Sequence, residues 1–395
     1  MEKAAVTSGA ILTVNAGSSS IKFSIYAAGG EPEERLRGQV DRIGGDNAEL
    51  VIEQDNTGEK RFQIGHADHR AAMAAILAHS GQALDGETVA GVGHRVVHGG
   101  TDFAAPMRLD DETVDRLAAL EPLAPLHQPH NLAAVRAARS AFPEAVQIAC
   151  FDTAFHRAHP WVNDTFALPR EWYDKGVRRY GFHGLSYEYV SGEVARIAPD
   201  LRHGRVVIAH LGNGASMCAV RDGRSVASTM GFTALDGLPM GTRCGQLDPG
   251  VLLYMMDHEK MSPQDIADLL YRKSGLKGLS GISHDMRELE ASGAPEAAEA
   301  IDYFVFRIRR ELGALAAVLG GLDALVFTGG IGEHSARVRG KVCEGMEWLG
   351  IAIDAAKNAG NAVELGTGKT RVMVVPTDEE RVIARAVNAA LNGQA

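Results

Sequence analysis

Ile11-Leu12-Thr13-Val14-Asn15-Ala16-Gly17-Ser18-Ser19-Ser20-Ile21-Lys22-Phe23-Ser24-Ile25-Tyr26 decides how the rest of the chain is read. A short, β-branched apolar run turns through small and hydroxylated residues into a run that alternates apolar and polar. That is the pattern of a strand followed by a half-buried partner strand. The same order returns in the second half. Arg205-Val206-Val207-Ile208-Ala209 turns through Gly212-Asn213-Gly214-Ala215-Ser216 into Met217-Cys218-Ala219-Val220, then past Asp222-Gly223 into Ser225-Val226-Ala227-Ser228. The repeat predicts an internal duplication of one β-hairpin module.

Outward from these hairpins, the first half predicts strands over 49–53 and 61–64 and a helix over 68–79. A strand near 89–97, helices near 111–120 and 131–140, and a strand over 146–151 follow. Helices dominate after Asp248, and Ile301, Phe304, Val305, Ile308, Leu312, Leu315, Ala316 and Leu319 share one helical stripe that should face a core. The apolar run 324–327 meets Thr328-Gly329-Gly330-Ile331-Gly332, with a helix expected from about Glu333. A last buried strand over 371–375 leads through Pro376-Thr377-Asp378-Glu379-Glu380 into a final helix. No low-complexity linker divides the halves, so two domains would share an intimate boundary.

The length of 395 residues suits two or three domains. Hydrophobic residues at 45% and charged residues at 23% exclude a disordered, collagen-like or coiled-coil chain. No apolar run reaches the ~20 residues of a membrane helix, and the first residues lack the charged-then-apolar pattern of a secretory signal. Forty basic against fifty acidic residues, a net charge of −10, argue against nucleic-acid or membrane partners, so an anionic substrate needs locally concentrated positive charge. Cys150, Cys218, Cys244 and Cys343 are scattered without C-x-x-C, as reduced thiols in a cytoplasmic protein would be.

Three loops are suited to phosphates, because glycines let backbone N–H groups approach an anion and hydroxyls add donors. They are Asn15 to Ser20 with Lys22 just beyond, His210 to Gly214, and Gly329 to Gly332, each directly after an apolar strand. Gly366-Thr367-Gly368-Lys369-Thr370 only imitates a Walker A loop: the first glycine of G-x-x-x-x-G-K-[ST] falls on Val363, and the apolar run follows the loop instead of preceding it. It reads as a solvated turn. G-x-G-x-x-G fails at Ser335, and no G-x-S-x-G elbow is present.

Several polar residues sit in unusual company. Arg95, within the apolar run before Gly99-Gly100, needs an anionic partner, either a structural carboxylate or a substrate. His94 and His98 have i,i+4 spacing but fall on a strand pattern and lack the Glu of H-E-x-x-H, which argues against zinc. Asp152 ends a buried strand, His183 lies between Gly181 and Gly184, and Arg243 lies in the glycine-rich 237–245 loop. Asp285-Met286-Arg287 and Glu379 complete the set.

Together these segments resemble the acetate kinase (acetokinase) family of the acetate and sugar kinase/heat-shock ATPase/actin superfamily. The matching stretches begin in order with 14–22, 93–100, 151–156 and 180–184. They continue with 210–216, 237–243, 327–333 and 377–380, so the likeness spans nearly the whole chain. The resemblance implies an α/β fold of two related ribonuclease-H-like domains, an actin-like ATPase duplication with an interdomain cleft. By analogy, residues 1–152 with 381–395 form an N-terminal acetate-kinase domain and 153–380 a nucleotide-binding domain. It also implies a cytoplasmic homodimer that uses Mg²⁺ (or Mn²⁺) and ATP/ADP to interconvert acetate and acetyl phosphate by direct in-line transfer.

A carboxylate is already ionised at pH 7, so this reaction needs no general base. Its difficulty is that two anions must meet. Carried over by position, Arg95 binds the acetate carboxylate or the transferring phosphate, and Arg243 and His183 stabilise the transition state. Asp152 positions a metal or water. Asn15 and Glu379 place Mg²⁺; Ser18, Ser20 and Lys22 line the phosphate end; and His210, Leu211, Gly212, Asn213 and Gly214 cradle the ATP phosphates. Asp285, Met286 and Arg287, with Gly330, Ile331, Gly332, Glu333 and His334, surround the nucleoside. Val97, Leu126 and Phe182 form the methyl pocket, with His127 nearby.

The chain departs from the family pattern at His334 (often Asn), Asp378 (often Asn), Gln246 (often Asp) and Ala234 (often Pro, beside the methyl pocket). Ala234 leaves propionate open as the substrate, since one methylene discriminates by only about 1–3 kcal/mol. An actin-type ATPase is the alternative from another class; ATP turnover indifferent to acetate would favour it.

Overall fold

A computed structural model describes residues 9–17, 19–54, 58–125 and 127–393. The chain divides into two compact units, Met1–Phe155 with Asp378–Ala395, and His156–Thr377.

In the first unit, β1 (Ala10–Ala16), β2 (Ser20–Ala27), β3 (Glu33–Asp41), β4 (Ala48–Gln54) and β5 (Gly58–Gly65) form an antiparallel meander. β6 (Val89–Val96) and β8 (Val146–Phe151) extend the sheet parallel to β1, and the short β7 (Met107–Arg108) closes the edge. The order is β5-β4-β3-β2-β1-β6-β8-β7. β1 is buried along its length except for Asn15, as expected of a β-branched strand flanked on both sides. Gly91 and Gly93 on β6 let the closing helix Glu379–Leu391 settle directly on the sheet, because a methyl group at either would run into Val387 or Ile383.

The expected strands over 49–53, 61–64 and 146–151 and the helix over 68–79 are present, with ends shifted by a few residues. β3 is an addition. Its Glu33, Glu34, Arg35, Arg37 and Asp41 hide the strand period, and only Leu36 and Val40 are buried. The helix expected from 131 begins at Gln128, helped by Pro129 in its first turn, where a missing N–H costs nothing.

In the second unit, β9 (Arg205–Leu211), β10 (Ala215–Arg221) and β11 (Arg224–Ser228) are antiparallel. β12 (Ala324–Thr328) and β13 (Arg371–Val374) follow parallel to β9, giving the order β11-β10-β9-β12-β13. This repeats β3-β2-β1-β6-β8 in both order and direction, the ribonuclease-H-like arrangement. The helix Pro295–Leu319 buries the whole expected stripe, together with Arg307.

The expectation of a helix from about Glu333 is corrected. A short helix, Gly329–His334, starts within the glycine run, and a second, Ala336–Cys343, follows Ser335. The Glu333 carboxylate reaches back to accept the Gly329 N–H at 2.8 Å, so the loop folds into a turn of helix. Gly329 has φ +76°, and a side chain there would meet the Leu211 carbonyl. In the imitation Walker loop, residues 367–369 are exposed, whereas Thr370 is buried and its hydroxyl donates to the Leu349 carbonyl at 2.6 Å. Among the described residues, no helix is long and apolar enough to cross a membrane.

Candidate active site

In the first unit the polar residues gather where β1, β6 and β8 end. These strands are parallel, so their carboxyl ends share one edge, the edge on which α/β sheets carry ligands. Asn15 and Arg95 are the penultimate residues of β1 and β6, and Asp152 directly follows β8. Lys22 lies opposite Asn15 across the β1–β2 hairpin. Glu379 opens the closing helix.

Arg95 meets Asp152 in a two-pronged pair, Nε to Oδ1 at 2.9 Å and Nη2 to Oδ2 at 2.6 Å, the geometry that makes guanidinium–carboxylate bonds strong and directional. Its remaining Nη1 donates to Asn15 Oδ1 at 3.3 Å and lies 3.6 Å from Glu379 Oε2. Burial opposes the charge on Arg95, but Asp152 and Glu379 outweigh it and hold the group protonated. Burial, aided by Asp152 and Glu380 and opposed by Arg95 and Lys22, pushes the Glu379 carboxyl up to about 7.

Among the described residues, no three His, Cys, Asp or Glu side chains group as a metal cage. Mg²⁺ does not require one: it favours one or two protein oxygens and fills its shell with water and phosphate. Asn15 and Glu379 offer hard oxygen donors at this edge and fit that donor set.

Asn131 was not singled out from the sequence, yet it ties this edge together. Its amide donates to the Ala16 carbonyl at 2.6 Å and accepts the Val97 N–H at 3.0 Å, joining the ends of β1 and β6. Ser20 accepts the Gly17 N–H at its carbonyl, 2.7 Å, which closes the first glycine turn. Val97 is buried. Ser18 and Leu126 lie outside the described residues.

In the second unit, His183 precedes the helix Gly184–Ile197 with left-handed backbone, φ +59° and ψ +24°. A non-glycine residue there is uncommon and is held by its surroundings. Its ring stacks on His210, centroids 4.3 Å apart, and the His210 Nδ1 pairs with Ser186 Oγ at 2.8 Å. Arg243 donates from Nη1 to the Ala234 carbonyl at 2.8 Å. Gly214 sits beside both side-chain tips: a methyl group there would lie 3.1 Å from His183 Nε2 and 3.7 Å from Arg243 Nη2. Phe182 is buried and accepts at its carbonyl from His156 Nε2 at 3.0 Å.

Next to this lies a cavity of about 360 Å³. The sequence-expected residues Gly212, Asn213, Asp285, Met286, Arg287, Gly330, Ile331 and His334 line it. His284, Glu290 and Ser335 also line it; each is a near neighbour in sequence of an expected residue, the one signal that pointed to them. His210, Leu211, Gly214, Gly332 and Glu333 are absent from its wall. Leu211 and Gly332 are buried, and Glu333 spends its carboxylate on the N–H groups of Gly329 and Thr377. Asp285 is lowered to about 2, chiefly by the hydrogen bond from the exposed Arg287 side chain.

The sequence profile of the Acetokinase family matches residues 10–385. The chain belongs to the acetokinase family. It is 57% identical over 399 residues to an acetate kinase of Methylocella silvestris, covering 98% of each. A propionate kinase from Francisella tularensis superposes with a TM-score of 0.90 at 34% identity, covering 96% of this chain and 98% of that one. Porphyromonas gingivalis acetate kinase superposes with a TM-score of 0.87 at 37% identity, covering 95% and 98%.

In this chain, the departures from the family pattern have local partners. Asp378 caps the closing helix and accepts from Arg381 Nε at 2.9 Å, so its charge is already engaged. Gln246 accepts from Arg307 Nη2 at 2.9 Å and from Arg310. Ala234 supplies the carbonyl that holds Arg243, and His334 lines the cavity.

Proposed function

We propose that the protein is an acetate kinase that moves the γ-phosphoryl group of ATP directly and reversibly to a carboxylate oxygen of acetate, giving acetyl phosphate and ADP. Membership of the acetokinase family and the 57% identity to an acetate kinase support the reaction. The observation that carries the mechanism is the meeting of His183 Nε2 and Arg243 at Gly214, beside the cavity.

The second unit holds the nucleotide. The 330–334 turn and Asp285 to Arg287 surround the adenosine, and the glycine loop of 212–214 offers backbone N–H groups to the phosphates. Arg243 and His183 donate to the equatorial oxygens of the transferring phosphoryl as charge shifts across it. Arg95 binds the acetate carboxylate or the incoming phosphoryl. Asp152 gives both its oxygens to Arg95, so its part is to hold that guanidinium at a fixed angle. Val97 and Phe182 shield the acetate methyl from water. Asn15 and Glu379 would hold Mg²⁺, directly or through water, with Mn²⁺ as a substitute, and the bound metal would supply charge neutralisation for the nucleotide phosphates.

The enzyme acts as a cytoplasmic homodimer without nucleic-acid or membrane partners. The exposed apolar side chains Leu253 and Tyr254, and Tyr303 and Phe306 on the helix Pro295–Leu319, support a self-associating surface. Propionate is the second reading for the acyl substrate, favoured by Ala234 beside Arg243 and by the likeness to a propionate kinase. Trapping acyl phosphate with hydroxylamine across acetate, propionate and butyrate tests both. Highest kcat/KM with acetate is expected; a propionate preference changes the substrate, and ATP turnover without acyl phosphate overturns the reaction.

A further inference from the structure

Behind His183 lies a buried hydroxyl pair that the reaction as described does not use. Ser216 Oγ stands 2.8 Å from His183 Nδ1, and the Tyr187 hydroxyl lies within hydrogen-bond distance of the same Oγ. Both side chains are fully buried. Their placement follows from local structure. Tyr187 is four residues beyond His183, one turn along the helix and on the same face. Ser216 is on β10, paired in register with His210 on β9, the residue whose ring stacks on His183. The imidazole is thus fixed at its backbone by a left-handed turn, on its face by His210, and at Nδ1 by Ser216.

We propose that Tyr187 and Ser216 are positioning residues for His183, forming a hydroxyl chain from Tyr187 through Ser216 to Nδ1 that keeps the proton on Nε2, the nitrogen facing Gly214 and Arg243. The inference rests on the reading of His183 as a donor to the transferring phosphoryl.

The contact geometry carries it, and proton counting gives the proposed direction. A hydroxyl has one proton to give and lone pairs to accept with, and a neutral imidazole has a single N–H. Burial, with a smaller contribution from Cys218, raises the Tyr187 phenol well above its ordinary value, so it keeps its proton and is able to donate. In the proposed chain its proton goes to Ser216 Oγ and the Ser216 proton to His183 Nδ1, which leaves the ring hydrogen on Nε2. When the imidazole takes a second proton, Ser216 turns to accept from Nδ1–H, and Nε2 again carries a hydrogen. A ring protonated only at Nδ1 would aim a lone pair at an anionic phosphoryl group, so selecting the tautomer selects a donor over a repelling acceptor.

The test uses full-length Tyr187→Phe and Ser216→Ala proteins labelled with ¹⁵N-histidine. The His183 resonances are assigned by their loss in His183→Ala. Wild type is expected to show the Nε2–H tautomer, and each variant a mixture or the Nδ1–H form. Loss of a partner that orients a reacting group by contact typically costs tenfold or more, so kcat should fall about tenfold while KM for ATP and acetate stays within about twofold. Tyr187→Phe keeps the ring in place and carries the test if Ser216→Ala folds poorly. Well-folded variants with wild-type kcat and an unchanged Nε2–H signal overturn the proposal. A His183→Ala enzyme with wild-type kcat overturns instead the reading of His183, and leaves the tautomer measurement standing.

Discussion

Replacing Asp152 by Asn keeps the size of the side chain and removes the charge that holds Arg95. In the structure the two side chains share parallel bonds of 2.9 and 2.6 Å, with Asp152 buried and Arg95 only 21% exposed. Unit charges about 4 Å apart at an effective permittivity near 20 attract by about 4 kcal/mol. Without Asp152, Arg95 is left with Asn15 and with Glu379 at 3.6 Å, and swings toward the latter. If most of the lost attraction appears as misplacement of the guanidinium in the transition state, kcat/KM for acetate falls by two to three decades, at about 1.36 kcal/mol per decade. Because Asp152 acts through Arg95, Arg95→Ala and Asp152→Asn should not add. The double variant should be less than about tenfold worse than the poorer single variant. Acyl phosphate trapping at varied acetate gives all four values. A double variant whose loss equals the product of the single losses refutes the idea that one carboxylate serves one guanidinium.

Other outcomes follow from the same geometry. Gly214→Ala places a methyl group 3.1 Å from His183 Nε2 and 3.7 Å from Arg243 Nη2, so kcat should drop at least tenfold with an unchanged melting temperature; wild-type turnover contradicts the convergence of those tips. Burial lowers His94 to about 4, His156 to about 4 and, with His156 and Arg157 adding to it, His159 to about 2. An unfolded chain protonates these residues below about pH 6.5 while the folded one does not. The contribution of these three histidines should therefore be complete above that pH and fall toward pH 4 by up to ~1.4 kcal/mol per pH unit for each, offset in part by the raised Glu379, which binds its proton more tightly in the folded state; flat denaturant midpoints between pH 7.5 and 5 contradict this. Removing divalent cations with EDTA should abolish acyl phosphate formation and Mg²⁺ should restore it; activity that survives chelation removes the assigned task of Asn15 and Glu379.

What could be read in advance depended on how locally each feature is encoded. The two hairpins were legible because 11–14 and 205–209 are β-branched runs that break at small-residue turns, and a turn is a short-range property. β3 was hidden because its charged residues mask the two-residue period, and its place depends on pairing with β2 and β4. The helix at Gly329 was hidden because glycine disfavours helices and the compensating bond comes from Glu333.

The residue types of the site were visible, but their partners were not. That Arg95 needed an anion follows from its apolar surroundings, yet the choice of Asp152, 57 positions away, is made by the parallel register of β6 and β8. Asn131 and Ser216 gave no signal of their own, because a buried amide or hydroxyl looks ordinary until its neighbours are known.

The proposal is that Arg95, His183 and Arg243 serve one transferring phosphoryl group. It is tested most directly by a crystal structure of the enzyme with ADP, Mg²⁺, acetate and aluminium fluoride, the fluoride standing in for the phosphoryl in flight. All three side-chain tips are expected within hydrogen-bonding distance, about 3.2 Å or less, of the fluoride atoms or the facing acetate oxygen; a complex that leaves any of the three turned to bulk solvent contradicts the account.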